Sequence, residues 1–316
     1  MRSIQARAMF LDEDHVRSLL TYDALIPAIR QALIDSSAGR VLQPPRTILR
    51  PGNHEGPRDG WFAVMPAIYG DVMGVKTVTF FAGNAALGLP THMAIVELLS
   101  RATGQPLAIM DGRLITEMRT AAVSAVALDA LAPPDVTTLG VLGAGVQARS
   151  HLEALCRVRP ALDDIRIWSR TRANAQRLAA ETAAATGVAA RAADIEDAAF
   201  AQVVLTATAS PTPVLLGRWL RPDALVLAVG AVGASLRELD DETMRSSWIV
   251  AESRAAAERE AGDIVLSGAS VQAEIGEILA HPAEFPIPRG RILFKSVGMA
   301  IEDLVAARLV WQAMQR

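Results

Sequence analysis

Cysteine, lysine and long apolar runs are all scarce in this chain of 316 residues. The single cysteine, Cys156, excludes an internal disulfide and a cysteine-built zinc site. The five histidines, His15, His54, His92, His151 and His281, form no H-x-x-x-H pair, so no metal is expected. The longest apolar run, Ala224 to Leu236, is broken by glycines. It falls short of the roughly 20 apolar residues that a membrane span needs. The first residues, Met1 to Arg7, carry no apolar signal core, and a cytoplasmic protein is expected. Charge of one sign is also lacking. The net charge of −3 favours neither a nucleic-acid nor an anionic-membrane partner.

The rarest cation is the informative one. Of 31 basic residues only Lys76 and Lys295 are lysines. A buried lysine can change its protonation state, whereas arginine effectively cannot. Lys76 lies inside the apolar run Val75 to Phe81. Burial and neighbouring arginines would lower its pKa and fit it to exchange a proton near neutral pH.

What is abundant is apolar: 51% of residues are hydrophobic, enough for a sizeable core and, at this length, for two domains. Residues 10 to 38 read as helical, with Thr21 capping a helix from Tyr22 to Ser36. Short β-like runs follow at Arg46 to Leu49, Trp61 to Ile68, Val75 to Phe81, His92 to Leu99 and Pro106 to Met110. Pro51-Gly52-Asn53, Tyr69-Gly70-Asp71 and Arg101 to Gly104 supply turns between them. A helix from Thr116 to Leu131 ends at Pro133-Pro134. Beyond it the pattern alternates: strands at Thr138 to Leu142, Ile165 to Trp168, Val203 to Ala207 and Ala224 to Val229, with helices at Val146 to Val158 and Ala173 to Ala185. Such alternation implies a doubly wound parallel sheet. The alanine-rich stretch Ala179 to Ala193 reads as a helix and its exit. A last helix, Met299 to Met314, would pack back on the first part and make that domain discontinuous.

The strongest motif is Gly140-Val141-Leu142-Gly143-Ala144-Gly145-Val146-Gln147-Ala148, a G-x-G-x-x-A fingerprint between a strand and a helix. Gly143 permits the tight turn, Gly145 lets backbone approach a pyrophosphate, and Ala148 keeps helix and sheet close. The next strand ends in Ser169-Arg170-Thr171, where an NAD site usually carries an acid for the ribose hydroxyls. These donors suit a 2′-phosphate. NADP(H) is therefore preferred, with NAD(H) as the alternative. Thr208 and Val229 stand at strand ends, where doubly wound sheets bind ligands.

Gly143 to His151 and Ile167 to Thr171, together with Gly74-Val75-Lys76, Gly88 to His92 and Met118 to Ala122, resemble the ornithine cyclodeaminase and mu-crystallin family. Arg237 to Asp241, Gly262 to Gly268 and Phe294-Lys295-Ser296 extend the resemblance over nearly the whole chain. It implies a Rossmann domain at 119–295 and a discontinuous α+β substrate-binding and dimerisation domain at 1–118 and 296–316, in a homodimer. It implies that Arg46 binds a substrate carboxylate with help from Arg119, as two guanidiniums can. Arg119, Thr91, Thr120, Gln147, Thr208 and Val229 resemble cofactor positions, and Glu260 and Lys295 resemble pocket-lining ones. One loop departs from the pattern. Val232 aligns with an aspartate of the cyclodeaminases, and Ser235 with one of mu-crystallin.

The expected activity is reduction of small cyclic imino acids, such as pyrroline- or piperideine-2-carboxylate. Lys76, Arg46 and Arg119 form the catalytic set, and Val232, Glu260 and Lys295 line the substrate. The alternatives are an alanine-like amino-acid dehydrogenase, an ornithine or lysine cyclodeaminase, and an NADPH-dependent ligand-binding protein without turnover.

Overall fold

A computed structural model of the chain describes residues 8–50 and 60–315. The turn expected at Pro51-Gly52-Asn53 lies outside these, as do His54 and Met1 to Arg7. The first segment runs β1 (Met9–Leu11), α1 (Glu13–Leu19), α2 (Tyr22–Ser37), β2 (Thr47–Leu49), β3 (Gly60–Tyr69), β4 (Val72–Phe81), β5 (His92–Ser100), β6 (Pro106–Asp111) and α3 (Gly112–Leu131). The second runs β7 (Thr138–Leu142), α4 (Val146–Val158), β8 (Asp164–Trp168), α5 (Arg172–Thr186), β9 (Ala189–Ala192), α6 (Ile195–Ala199), β10 (Val203–Thr206) and β11 (Leu225–Ala228). It continues through α7 (Asp241–Ser246), β12 (Ser247–Ala251), α8 (Arg254–Glu260), α9 (Gly262–Ser267), β13 (Ala273–Glu274), α10 (Ile275–Ala280) and β14 (Arg291–Lys295). The chain closes with α11 (Ala300–Met314).

These elements form two units, 1–119 with 299–316 and 120–298, and the division falls inside α3. In the first unit six strands lie in the order β1-β6-β5-β4-β3-β2. All pairs are antiparallel except β1 with β6. α11 packs on α2 and on β3, β4 and β5. Residues 72, 76 and 78 of β4 and 94, 96 and 98 of β5 are buried on one face, as the two-residue period dictates. On the alternate positions Met93 and Ile95 are exposed, Phe62, Val64 and Val75 are half-buried, and Phe10 is 67% exposed. These apolar side chains share the face with Thr77, Thr79, Glu97 and Asp111, and among the described residues Phe10, Met93 and Ile95 remain exposed.

The second unit is an all-parallel sheet of eight strands in the order β13-β12-β14-β11-β10-β7-β8-β9. Its central strands are buried along their whole length, Val203 to Thr206 and Leu225 to Ala228 included. This is why they read as continuous apolar runs rather than as alternation.

Several local readings are corrected. The helical reading of 10–38 gives way at its start to β1, because Phe10 and Leu11 pair with Ile109 and Met110 of β6. That long-range pairing overrides local propensity. Thr21 does cap α2, accepting from the Ala24 N–H at 3.4 Å. α3 starts a turn before Thr116, at Gly112. The exit from the alanine-rich helix is a strand, β9, held by pairing with β8. Strands β12, β13 and β14 were not expected.

Candidate active site

Lys76 comes from the middle of β4, across from Met65 and Val96. Its position in the alternation turns it onto the face covered by α11, and it is buried. The first turn of α11 carries Glu302 and Asp303 at the start of a mostly apolar helix, where the helix dipole also favours carboxylates. Asp303 bridges two cations. Its Oδ2 lies 2.7 Å from Lys76 Nζ, and its Oδ1 accepts from Arg119 Nε at 3.1 Å. Glu302 Oε2 takes the other side of the same guanidinium, from Nη1 at 2.5 Å. Lys76, Arg119, Glu302 and Asp303 are all buried. The pairing is what makes burial of four charges tolerable.

The electrostatics follow from burial and neighbours. Burial pushes Lys76 down to about 8; Arg119 and Arg46 push the same way, and Asp303 opposes them. Burial acts to raise Asp303, but Arg119 and Lys76 outweigh it and hold its carboxyl below the usual range. His92, at the head of β5, is pushed down to about 4 by burial, with Lys76 and Arg119 adding to it. It is therefore neutral at pH 7. Arg46, immediately before β2, is half-buried, and its charge reaches both Lys76 and Asp303. Thr91 is half-buried at the mouth of β5, its carbonyl accepting from Phe81 N–H at 2.8 Å.

In the second unit the glycine turn links β7 to α4. Gly143 has φ 126, a left-handed value suited to glycine, and its N–H bonds Trp168 O at 2.9 Å. Gly145 is the N-cap of α4, and a Cβ placed on it would meet nothing within 4 Å. The open space lies beside the first turn of α4, whose N–H groups and dipole suit an anion. Ala144 is half-buried and Val146 is exposed. Gln147 Oε1 is a buried acceptor with no hydrogen-bond partner among the described residues. A dinucleotide pyrophosphate fits this set. Ser169 is half-buried, and Arg170 and Thr171 are exposed just past β8, at the edge where α5 begins. Thr120 is buried in α3, and Val229 is buried one residue past β11.

Two sequence candidates have bonds of their own. Thr208 gives both its N–H and its Oγ1 hydrogen to Glu238 Oε1, at 2.6 and 2.7 Å. Thr206 Oγ1 donates to the other oxygen of Glu238 at 2.9 Å. Burial pushes the Glu238 carboxyl up, against the pull of Lys295 and Thr208. Lys295 is fully buried inside the second unit. Its Nζ donates to Gly230 O at 2.6 Å and pairs with Asp263 Oδ2 at 2.9 Å. It ties down the loop after β11. Within that loop Ala231 has φ 51, Val232 bridges to Ala261, and Gly233 N–H bonds Glu260 O at 2.8 Å. Val232 and Glu260, distant in sequence, are thus brought together. Glu260 is also paired with Arg259. No group of three His, Cys, Asp or Glu that could hold a metal occurs among the described residues, nor any helix long and apolar enough to cross a membrane.

Sequence reasoning passed over Glu302 and Asp303. The signal was present: adjacent carboxylates in the first turn of a mostly apolar helix need cations.

A doubly wound sheet with an anion-ready glycine turn, in a chain whose other unit buries a lysine–aspartate–arginine cluster, defines a two-unit dinucleotide-fold enzyme class. The chain belongs to the ornithine cyclodeaminase/mu-crystallin family, whose model matches residues 6–316. It is 41% identical over 309 residues to the ketimine reductase mu-crystallin of Mus musculus, covering 95% of this chain and 94% of that protein. It is 34% identical to a Delta(1)-pyrroline-2-carboxylate/Delta(1)-piperideine-2-carboxylate reductase of Azospirillum brasilense, covering 96% and 95%. Among solved structures, Thermococcus litoralis Delta(1)-pyrroline-2-carboxylate reductase in complex with NADH and L-proline superposes with a TM-score of 0.92. It is 32% identical and covers 97% of each chain.

Proposed function

We propose that this chain is a nicotinamide-dependent reductase of small cyclic imino acids, and that it prefers NADPH. The observation that carries the reading is the buried Lys76, paired with Asp303 and close in pKa to neutral conditions. A group of that pKa can both hold and release a proton at working pH. A bound reduced nicotinamide supplies the hydride that the imine carbon accepts. Arg46 and Arg119 hold the substrate carboxylate and fix the ring's orientation. The Lys76 ammonium gives a proton to the imine nitrogen and is recharged from solvent. Gly143 to Gln147 hold the pyrophosphate, with Thr91, Arg119, Thr120, Thr208 and Val229 around the rest of the cofactor. Ser169, Arg170 and Thr171 take a 2′-phosphate. Val232 and Glu260 are assigned to the substrate, and Lys295 keeps their loop in place. The working form is a homodimer joined through the face of the six-stranded sheet that exposes Phe10, Met93 and Ile95, in the cytoplasm, where reduced nicotinamide is supplied.

The test follows NADPH oxidation with pyrroline-2-carboxylate and piperideine-2-carboxylate without added ammonia. Turnover there supports the reading. Turnover only with an open-chain 2-oxo acid plus ammonia would assign the chain to the dehydrogenases.

A further inference from the structure

The pairing of Lys76 with a carboxylate from the far end of the sequence has a specific consequence. Asp303 uses both oxygens on cations, Oδ2 on Lys76 and Oδ1 on Arg119. It is buried with them and is a poor candidate for a base toward any substrate. We propose that Asp303 is the positioning residue of the site: one carboxylate that aims the Lys76 ammonium and the Arg119 guanidinium together and keeps the lysine charged in an environment that would otherwise strip its proton. Glu302 Oε2 takes the Arg119 Nη1 side of the arrangement. The two adjacent acids therefore have separable roles.

The charged and titratable groups around Lys76 come from α11, α3 and the starts of β2 and β5. Asp303 and Glu302 project from α11, and Arg119 from α3. Arg46 precedes β2 and His92 begins β5, each electrostatically coupled to Lys76. Arg119 and Arg46 are cations and disfavour the ammonium, and His92 is neutral at pH 7. Asp303 is the carboxylate in contact with Lys76 that opposes burial. Removing its charge leaves the lysine among like charges, and neutral lysine becomes the favoured form near pH 7.

The proposal rests on the reductase reading for its effect on turnover, but it can be read without substrate. The chain has only two lysines, Lys76 and Lys295. Protein labelled with [ε-13C]lysine therefore gives two side-chain resonances, and Lys76→Met assigns them. In the unaltered protein the Lys76 resonance should titrate near pH 8. In Asp303→Asn its midpoint should fall by one unit or more, and in Asp303→Glu it should return most of the way. Glu302→Gln should leave it within a few tenths of a unit while raising KM for the carboxylate substrate several-fold. In turnover, Asp303→Asn should lower kcat tenfold or more at pH 7.5 and bring the alkaline limb of the profile to lower pH by the same shift. An Asp303→Asn protein whose Lys76 midpoint and alkaline limb are unmoved overturns the proposal. Should that variant not fold, Asp303→Ser is read in the same way, and an unmoved Lys76 midpoint there overturns the proposal equally. Absence of imine reduction by the unaltered protein would instead refute the reductase reading and leave the lysine titration standing as the test.

Discussion

At the scale of single residues, Lys76 shows how a property latent in composition becomes chemistry. An arginine at its place would stay charged at every accessible pH and could not cycle a proton. Because burial brings Lys76 to about 8, the ammonium is the main form below that pH and the neutral amine above it. Imine reduction that draws its proton from Lys76 should therefore hold steady up to about pH 8 and decline tenfold per unit beyond. Lys76→Met should cut kcat on the order of a hundredfold and erase that limb, with NADPH binding unchanged by fluorescence titration. Near-normal turnover with the limb intact would remove Lys76 from the mechanism. Arg170 is the second residue whose effect is separable. It is exposed at the end of β8, so its loss costs no packing. Arg170→Ala should weaken NADPH about tenfold or more, as the loss of one charge-assisted contact would, and leave NADH unchanged. Equal weakening of both would point away from a 2′-phosphate contact.

At the scale of elements, the glycine turn separates folding from binding. A Cβ on Gly140, inside β7, would lie 1.7 Å from the Ala198 carbonyl oxygen, a backbone atom that cannot swing aside. Gly140→Ala should lower stability by roughly 1–3 kcal/mol or more, seen as a falling Tm. Gly145→Ala meets nothing and should melt like the unaltered protein, yet bind NADPH at least tenfold more weakly, because its methyl sits where the pyrophosphate must approach. The loop after β11 carries its own expectation. Val232 offers no charge or hydrogen bond to the distal ammonium of ornithine. With oxidised cofactor the protein should therefore release no proline or ammonia from ornithine at rates near those of imine reduction. Comparable rates would mean that a neighbour such as Glu260 supplies the acid. Most of these elements were legible in the sequence. The glycine turn, the flanking β7 and α4, and the hairpins at Gly70 and Gly104 all announce themselves through local chemistry. The Ala-Ala-Arg-Ala of β9 has no strand propensity of its own and is a strand only because β8 pairs with it. The Asp303 bridge was hidden for the same reason. It joins residues 227 and 184 positions apart through packing that no window of sequence contains.

At the scale of the whole molecule, both ends of the chain build one unit. β4 supplies the lysine and α11 its counter-ion, so neither the first 119 residues nor the last 18 make the cluster alone. The helices cover one face of the six-stranded sheet and leave the other, with Phe10, Met93 and Ile95, open to solvent in the single chain. An antiparallel sheet can face water on one side, but then that side alternates to polar residues. Here Thr77, Thr79, Glu97 and Asp111 are interspersed with Phe10, Met93 and Ile95, and these exposed apolar side chains suit a surface that meets a second copy. A two-fold interface is self-complementary, so one substitution enters it twice. Ile95→Glu would place two carboxylates in the apolar contact, each costing desolvation without a partner. The unaltered protein should run as a dimer in sedimentation velocity at micromolar concentration. Ile95→Glu should run as a monomer whose far-ultraviolet circular dichroism is unchanged, since the residue points away from the packed face. A dimer that persists in both Ile95→Glu and Phe10→Glu would show that the copies meet elsewhere, and would leave this sheet face to another partner.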